Sequence, residues 1–359
     1  MVNPEPNVDQ PVDQVLCAGE TLDVNFVTTN NGGDSGFTWT NDNSSIGLPL
    51  TGSGPISGVT MRNTSSISQE AIIEVTPTFD NEGISCTGSP KTFRITVNPA
   101  AQVNPIPSEV VCNGDRTTPI TFSTSNTSVT STYSWTNDNT SIGLKADGTK
   151  PILPFTALNT GSTPQIATIT VTSTYTNAGE TCSSTEVFTI TVNPSPKATI
   201  TGLNNFLVCE NDTAPFITFE GSNGVAPYTF TYQINSDPIQ QVTSSGTSNS
   251  ATVSISTANS GSNVITLLSV SDSSTPTACV STDITLPNEA FVDVQEQGTI
   301  IPQDSSTVSQ VICENTSLTP IVYVIGGSAT SAFVTGLPSG LISTFDPTLN
   351  TLTISGNPT

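Results

Sequence analysis

The residues whose spacing most directly indicates chemistry are seven cysteines, and that chemistry is disulfide formation. Within three successive stretches an early cysteine is followed by a late one after 69, 70 and 70 residues. This spacing predicts one disulfide inside each stretch, pairing Cys17 with Cys86, Cys112 with Cys182, and Cys209 with Cys279. Cys313 is then the early member of a fourth pair and is predicted to lack its partner. Regular disulfides predict a compartment outside a reducing cytosol.

A metal site or buried free thiols would be the alternative use of these cysteines. No C-x-x-C pair and no histidine occurs in the sequence, so the alternative is disfavoured. The same lack of histidine removes Ser-His-Asp and Cys-His catalysis. No phosphate-binding glycine motif is present, and the carboxylates show no recurring setting typical of a glycosidase. We therefore predict no enzyme activity, no catalytic residue, no cofactor and no metal.

The tripeptide Asn-Asp-Asn, at 41–43 and again at 137–139, offers oxygen atoms that could bind Ca²⁺. One carboxylate and two amides are fewer than calcium's usual six to eight ligands, and no glutamate follows at a loop-like spacing. Asn and Asp also favour turns through bonds to their own backbone. We predict structural turns at both positions.

Trp39 and Trp135 each follow another aromatic residue by two positions, in segments that alternate with Ser or Thr. Two aromatic rings on one face of a strand could form a platform on which a sugar stacks. The alternation is equally typical of a strand whose aromatic face lies in a protein core. We predict core positions for both tryptophans.

Seven basic residues face 29 acidic ones, for a formal charge of -22. This balance argues against nucleic acid or an anionic membrane surface as a partner, since both attract Lys and Arg. No apolar run is long enough to span a bilayer, so no direct membrane insertion is expected. The opening Met-Val-Asn-Pro-Glu-Pro lacks the regions of a signal peptide, and Met1 is interpreted as a start codon placed on an excised segment.

Two repeats reveal the organisation of the chain. The twelve residues 37–48 return at 133–144 with three changes, and Val-Asn-Pro recurs every 95 residues, at 2–4, 97–99 and 192–194. Because proline ends strands and stiffens the exit, we interpret Val-Asn-Pro as a seam between modules. The predicted modules are 1–99, 100–194, a divergent 195–288 and an incomplete 289–359.

Alternating apolar residues, abundant Thr, Val and Ser, and turn signals predict an all-β fold. The modules are expected to be antiparallel, immunoglobulin-like sandwiches strung as an elongated rod. The predicted strands are 22–28, 36–40, 45–50, 71–78 and 91–97 in the first module and 119–124, 132–136, 141–144, 166–175 and 186–192 in the second.

The seam Val-Asn-Pro, Val-Cys-Asn-Gly at 111–114, and the Trp-Thr-Asn-Asp-Asn-x-Ser-Ile-Gly-Leu repeat resemble PKD-like repeats of very large Bacteroidota surface proteins. Gly-Leu-Pro-Ser-Gly-Leu at 336–341 is similar to immunoglobulin-like repeats of the same proteins. The combination resembles the SprB-type family of gliding-motility adhesins. The resemblance implies export by the type IX secretion system, a filament attached at the outer membrane, and O-glycosylation at Asp-Thr-Ala, hence at Thr213.

The expected function is a stalk segment of a secreted cell-surface adhesin, projecting and mechanically coupling an adhesive filament. Its partners would be the substratum or surface glycans, bound through the parent protein, and the secretion and gliding machinery. The alternative is a set of carbohydrate-binding modules attached to a secreted hydrolase. Sugar binding that depended on Trp39 or Trp135 would favour that alternative.

Overall fold

A computed structural model describes residues 2–127, 129–202 and 205–359. Met1, and with it our interpretation of a start codon, lies outside the described residues. The chain divides into two compact units, residues 1–193 and 194–359.

In its described residues, the first unit consists of strands joined by loops and two short 3-10 turns. Its strands are β1 (Gln14–Cys17), β2 (Thr21–Val24), β3 (Asp34–Asn41), β4 (Thr51–Ser53), β5 (Ile56–Thr60), β6 (Gln69–Asn81), β7 (Ile84–Thr87), β8 (Lys91–Asn98), β9 (Glu109–Cys112), β10 (Thr132–Asn137), β11 (Asp147–Gly148), β12 (Gln165–Asn177) and β13 (Glu180–Asn193).

The first sandwich packs a large sheet, in the order β1-β8-β6-β3-β4 with β7 beside β6, against the small sheet β2-β5. Alternate residues of β6 are buried, since successive side chains of a strand point to opposite faces. They meet Leu22, Trp39 and Phe93 in one hydrophobic core. Strand β1 runs parallel to β8, and the other pairings are antiparallel.

The second sandwich repeats this plan with the sheet β11-β10-β12-β13-β9, where β9 runs parallel to β13. Its core is formed by Trp135 with Ile142, Phe188 and other buried residues. The segment predicted as a strand at 119–124 makes only the bridge Ile120–Ile152. Pro119 and Pro151 flank that bridge and cannot donate to a ladder, which explains the missing strand.

The strands predicted at 45–50 and 141–144 are also wrong, because each begins in a 3-10 turn, at Ser44–Ile46 and Thr140–Ile142. The side-chain oxygen of Asn43 accepts the Ser45 N–H, and Gly47 adopts a φ of 90° that closes the turn. Ile46 and Leu48 are buried all the same. The apolar residues on either side of Gly47 are therefore buried by a turn and not by a strand.

The second unit is also built from strands. They are β14 (Lys197–Thr201), β15 (Asn205–Cys209), β16 (Phe216–Ser222), β17 (Thr229–Ile234), β18 (Gln240–Thr243), β19 (Ser250–Ser254), β20 (Gly261–Ser271), β21 (Val280–Ser281), β22 (Glu289–Gln295), β23 (Thr299–Pro302), β24 (Ile321–Gly326), β25 (Leu341–Asp346) and β26 (Thr351–Gly356). A 3-10 turn lies at Ser305–Thr307.

Sheet β14-β16-β19 and sheet β15-β22-β20-β17-β18, with β21 beside β20, enclose an aromatic core around Phe219, Tyr228 and Phe230. Strands β23-β24-β26-β25 form a further sheet. The boundary predicted at 288 is too early, because β22 pairs with β20 and β15 and completes the third sandwich at Gln295. This strand has no Val-Asn-Pro ending, so the seam signal was missing.

The all-β fold of tandem immunoglobulin-like sandwiches is confirmed. The other predicted module boundaries and the elongated rod stay predictions.

Candidate functional site, a disulfide junction between modules

The first unit holds a covalent link that the sequence analysis placed elsewhere: Cys17 is bonded to Cys182, with 5.7 Å between their Cα atoms. The predicted pairs Cys17–Cys86 and Cys112–Cys182 are therefore wrong. Cys86 and Cys209 carry free thiols, so the predicted Cys209–Cys279 pair is wrong as well. Cys313 is free and exposed. Cys112 and Cys279 are disulfide-bonded.

Strand length explains why an early cysteine does not reach the late one of its own module. Cys17 pairs with Asn98 at one end of β8, whereas Cys86 pairs with Phe79 near the far end of β6. Gln69 pairs with Val97, so the two cysteines lie about ten residues apart along β6, or roughly 34 Å. A disulfide needs Cα atoms within about 7 Å.

The same strands bring cysteines of neighbouring modules together. Strand β8 carries the chain from Cys17's partner Asn98 through Pro99 into the second sandwich. In the second sandwich the long hairpin β12–β13 extends back toward Asn98 and Pro99. Near the tip of this hairpin Tyr175 pairs with Cys182. The hairpin turns at Ala178 and Gly179, which both have positive φ, the conformation that a two-residue hairpin loop requires. We call the contact between this hairpin and the seam the junction.

Hydrogen bonds fix the hairpin tip to the seam. The Tyr175 hydroxyl donates to the Pro99 carbonyl. Asn177 Nδ2 donates to Asn98 Oδ1 over 2.7 Å and to Ser68 Oγ over 3.0 Å. Ser68 Oγ donates to the same Asn98 oxygen over 2.9 Å, and Asn98 is fully buried.

A second set of hydrogen bonds lies to one side of the hairpin. The Thr127 N–H donates to the Ser66 carbonyl over 3.1 Å, and the hydroxyls of the two residues are 3.2 Å apart. The modules are therefore tied by polar contacts as well as by the disulfide.

A small hydrophobic cluster surrounds the disulfide. Cys17, Ala101, Tyr175 and Cys182 are all buried, and Val129 packs against them. Burial raises the pKa of the Tyr175 hydroxyl above its usual value, because the ionised form would lose its hydration. Covering by apolar groups shields the sulfur atoms from attack by soluble thiols, since exchange requires access to a sulfur. The junction is thus built as a permanent connection.

Glu20 and Glu180 lie beside the disulfide, and Glu20 Oε2 accepts the Cys17 N–H over 2.7 Å. Among the described residues, three potential metal-ligand atoms gather only here, in Cys17, Glu20 and Glu180. The Cys17 sulfur is already bonded to carbon and sulfur, so this group lacks the thiolate that binds metals.

The two tryptophans lie in the sandwich cores, as predicted. Trp39 is 7% exposed and Trp135 is 3% exposed. The Trp135 Nε1 donates to the Lys150 carbonyl over 2.9 Å. Gly52 and Gly148 lie against the two indoles, where a Cβ atom would collide with the ring. Neither indole offers a face on which a sugar could stack.

The Asn-Asp-Asn tripeptides also have the predicted structural role. Buried Asn41 donates to the Leu48 carbonyl over 2.9 Å, and its oxygen accepts the Asn43 N–H. The Asp42 carboxylate accepts the Ile72 N–H over 2.8 Å. Asn137, Asp138 and Asn139 make the same bonds in the second sandwich. Their polar atoms hold turns to the sheet edge.

Thr213, the predicted O-glycosylation site, is exposed just after Asp212, whose carboxylate accepts the Cys209 N–H over 3.0 Å. Modification at this position stays a prediction.

Residues 14–101 match the PKD-like domain family. Among solved structures, the chain is similar to the I67-I69 fragment of the titin I-band, with 12% identity and a TM-score of 0.38, covering 82% of this chain and 100% of that one. It is also similar to the human desmocollin-1 ectodomain, with 11% identity and a TM-score of 0.32, covering 88% and 67%. No protein with a curated description is similar enough in sequence to count as a relative.

Residues 14–101 therefore carry a PKD-like domain within a chain of immunoglobulin-like sandwiches. Domains of this kind are typical of extracellular, adhesion-type proteins, and disulfides are typical of compartments outside a reducing cytosol. Modules of this kind are typically structural rather than catalytic. None of the helical turns in the described part of the chain has the length and apolar character needed to cross a membrane.

Proposed function

We propose that the chain is a load-bearing stalk segment of a large secreted adhesin, one that serves gliding motility at the surface of a bacterium. The observation that carries the proposal is the Cys17–Cys182 disulfide, which joins successive modules rather than closing one. In this proposal the parent protein leaves the cell by type IX secretion and attaches at the outer membrane. It contacts the substratum or surface glycans and is moved by the gliding machinery.

A disulfide between modules changes how the chain carries tension. Force that enters through β1 reaches Cys17 and can pass through the two sulfur atoms to Cys182. The segment between the two cysteines, which are 165 residues apart in sequence, then does not contribute to the extension of the chain under load. Fully extended, these residues would add roughly 540–600 Å. A stalk that must transmit movement benefits from this limit, because the chain between Cys17 and Cys182 cannot lengthen even when the two sandwiches unfold.

Single-molecule stretching tests the mechanical part of the proposal. The full chain carries Cys112→Ala and Cys279→Ala, because the disulfide bonding of these two cysteines would also limit extension. It is held at its two termini, and the oxidised protein is compared with the same chain carrying Cys17→Ala and Cys182→Ala. We expect the variant to gain roughly 540–600 Å of extension that the oxidised protein lacks. Cys86→Ala, at the matching position of the first module, is the control and should leave the extension unchanged. An oxidised chain that already reaches the full length would rule out a covalent limit.

Surface labelling tests the cellular part. Antibodies raised against the chain should bind intact source cells and mark filaments that move along a gliding cell. Labelling confined to lysed cells would count against an adhesin.

A glycan array with the full chain tests the alternative of carbohydrate-binding modules. The buried positions of Trp39 and Trp135 remove the feature that favoured this alternative. We expect no glycan binding that depends on either tryptophan. Binding that Trp39→Phe or Trp135→Phe abolished in a folded chain would reinstate it.

A further inference from the structure

The hairpin of the first sandwich matches the hairpin that forms the junction. Phe79 pairs with Cys86 as Tyr175 pairs with Cys182. Its tip turns at Glu82 and Gly83 with positive φ, as the other turns at Ala178 and Gly179. Both hairpins therefore present a cysteine at the same place on the same scaffold, but Cys86 is a free, partly exposed thiol.

The segment at the tip of this first hairpin is also matched. Val2-Asn3-Pro4 repeats Val97-Asn98-Pro99. Asn81 Nδ2 donates to Asn3 Oδ1 over 3.2 Å, as Asn177 Nδ2 donates to Asn98 Oδ1. Asn3 Nδ2 in turn donates to the Ile84 carbonyl over 3.2 Å. The seam therefore rests on the first hairpin through the same pair of asparagines as it does at the junction.

The position of an incoming cysteine follows from this match. In the first sandwich Cys17 stands opposite Asn98 in the parallel pair β1–β8, and this pairing sets its sulfur within bonding distance of Cys182. A module whose final strand ended in Val2-Asn3-Pro4 would place its own early cysteine opposite Asn3. That cysteine would face Cys86 as Cys17 faces Cys182.

We propose that Cys86 is the bonding site for a second PKD-like module, placed ahead of Val2, through the cysteine that corresponds to Cys17. The two thiols form one S–S bond and release two protons and two electrons. A disulfide oxidant, such as an oxidised thiol-disulfide oxidoreductase, takes up the electrons. If this pairing is repeated along a chain, each early cysteine is bonded to the late cysteine of the next module. Successive modules are then joined by an unbroken series of disulfides. This inference does not depend on adhesion or gliding.

The surroundings of Cys86 fit an incoming module. Ile84, two residues away on β7, is 65% exposed, whereas the matching residue at the junction is the charged Glu180. Phe79 takes the place of Tyr175 and is 1% exposed within its own module, so the new contact would lack the hydroxyl donor that Tyr175 supplies. Ile84 carries no charge that would oppose the packing of a neighbouring module beside the thiol.

The test extends the chain with its own first module. A copy of residues 2–96 is placed directly before Val2, so that Val2-Asn3-Pro4 continues its final strand. The Cys86 of the copy is changed to Ala, so that the peptide map contains a single Cys86. After folding in a glutathione redox buffer, alkylation and non-reducing peptide mapping should show loss of alkylation at Cys86 and a link from Cys86 to the copy's Cys17. The Cys17–Cys182 link in the same molecule reports correct folding. Changing the copy's Cys17 to Ser should restore alkylation at Cys86.

Persistence of the Cys86 thiol, with Cys17–Cys182 formed, would overturn the proposal. A Cys86–Cys86 link between two chains would overturn it too, because it would assign the thiol to dimer formation.

A graft keeps the proposal testable if the extended chain does not fold. Residues 79–87 replace residues 175–183 in the full chain, so that the first hairpin stands at the junction. The grafted cysteine is then expected to bond with Cys17. A folded graft, judged by the emission of the buried tryptophans, in which Cys17 stays a free thiol would show that the first hairpin cannot accept an early cysteine.

Discussion

Removal of the junction disulfide should destabilise the first unit far more than removal of the thiol at the matching position of the first hairpin. The informative pair of variants is Cys17→Ala/Cys182→Ala and Cys86→Ala. The double change also prevents Cys17 from finding a new partner. Cys86 forms no disulfide in the structure, so its loss should change the free energy of unfolding by no more than about 0.5 kcal/mol.

The magnitude for the double variant follows from the size of the closed loop. A loop of 165 residues restricts the unfolded chain by about 5 kcal/mol at 25 °C in the chain-entropy treatment. For a unit of this size that loss corresponds to a fall in melting temperature of about 10–20 °C. The disulfide lies between two sandwiches, so both should lose stability together.

Tryptophan fluorescence during urea unfolding is a suitable assay. The chain has two tryptophans, and Trp39 and Trp135 lie one in each sandwich of the first unit. The signal therefore reports on this unit alone, and the single-tryptophan variants Trp39→Phe and Trp135→Phe separate the sandwiches. Oxidised protein should give transitions that coincide for the two probes.

Two results would refute this reasoning. One is an equal loss of stability in Cys86→Ala that vanishes under reducing conditions. The other is a Cys17–Cys86 peptide in a non-reducing map. Either would mean that the disulfide closes within one module despite the length of β6.

Three further changes test other parts of the structure. Tyr175→Phe removes the hydroxyl that donates to Pro99 and should cost about 1 kcal/mol in urea unfolding. Burial raises the pKa of Tyr175, so its contribution to stability should be complete below about pH 10 and lost as pH rises through the folded value. In a pH series of melts, Tyr175→Phe should reduce this loss of stability without removing it, because burial also raises the pKa of Tyr133. Asn137→Ala removes hydrogen bonds to the Leu144 and Lys145 carbonyls and should lower the free energy of unfolding by about 1–3 kcal/mol. An unchanged free energy of unfolding would show that the turn is stable without these bonds. Gly148→Val would place a side chain against Trp135 and should cost about 1–3 kcal/mol with red-shifted emission, whereas unchanged emission would contradict the close packing.

Local patterns were sufficient wherever one strand or one turn determined the outcome. Alternation placed Trp39 and Trp135 in the cores, and Asn-Asp-Asn predicted turns that the structure builds from side-chain bonds. The same patterns failed at residues 45–50, because an apolar pair around a glycine can be buried by a 3-10 turn as readily as by a strand. They also failed at the end of the third sandwich, where β22 carries no proline seam.

The sequence by itself determined that this is an all-β protein of repeated sandwich modules, with early and late cysteines at a fixed spacing. It did not determine which cysteines meet, because one early and one late cysteine in every module allow a bond within a module as well as a bond to the next one. Only the tertiary structure decided that question. Strands as long as β6 carry the two cysteines of a module to opposite ends of a sheet, and the seam at Asn98 and Pro99 brings the end of one module against the hairpin of the next.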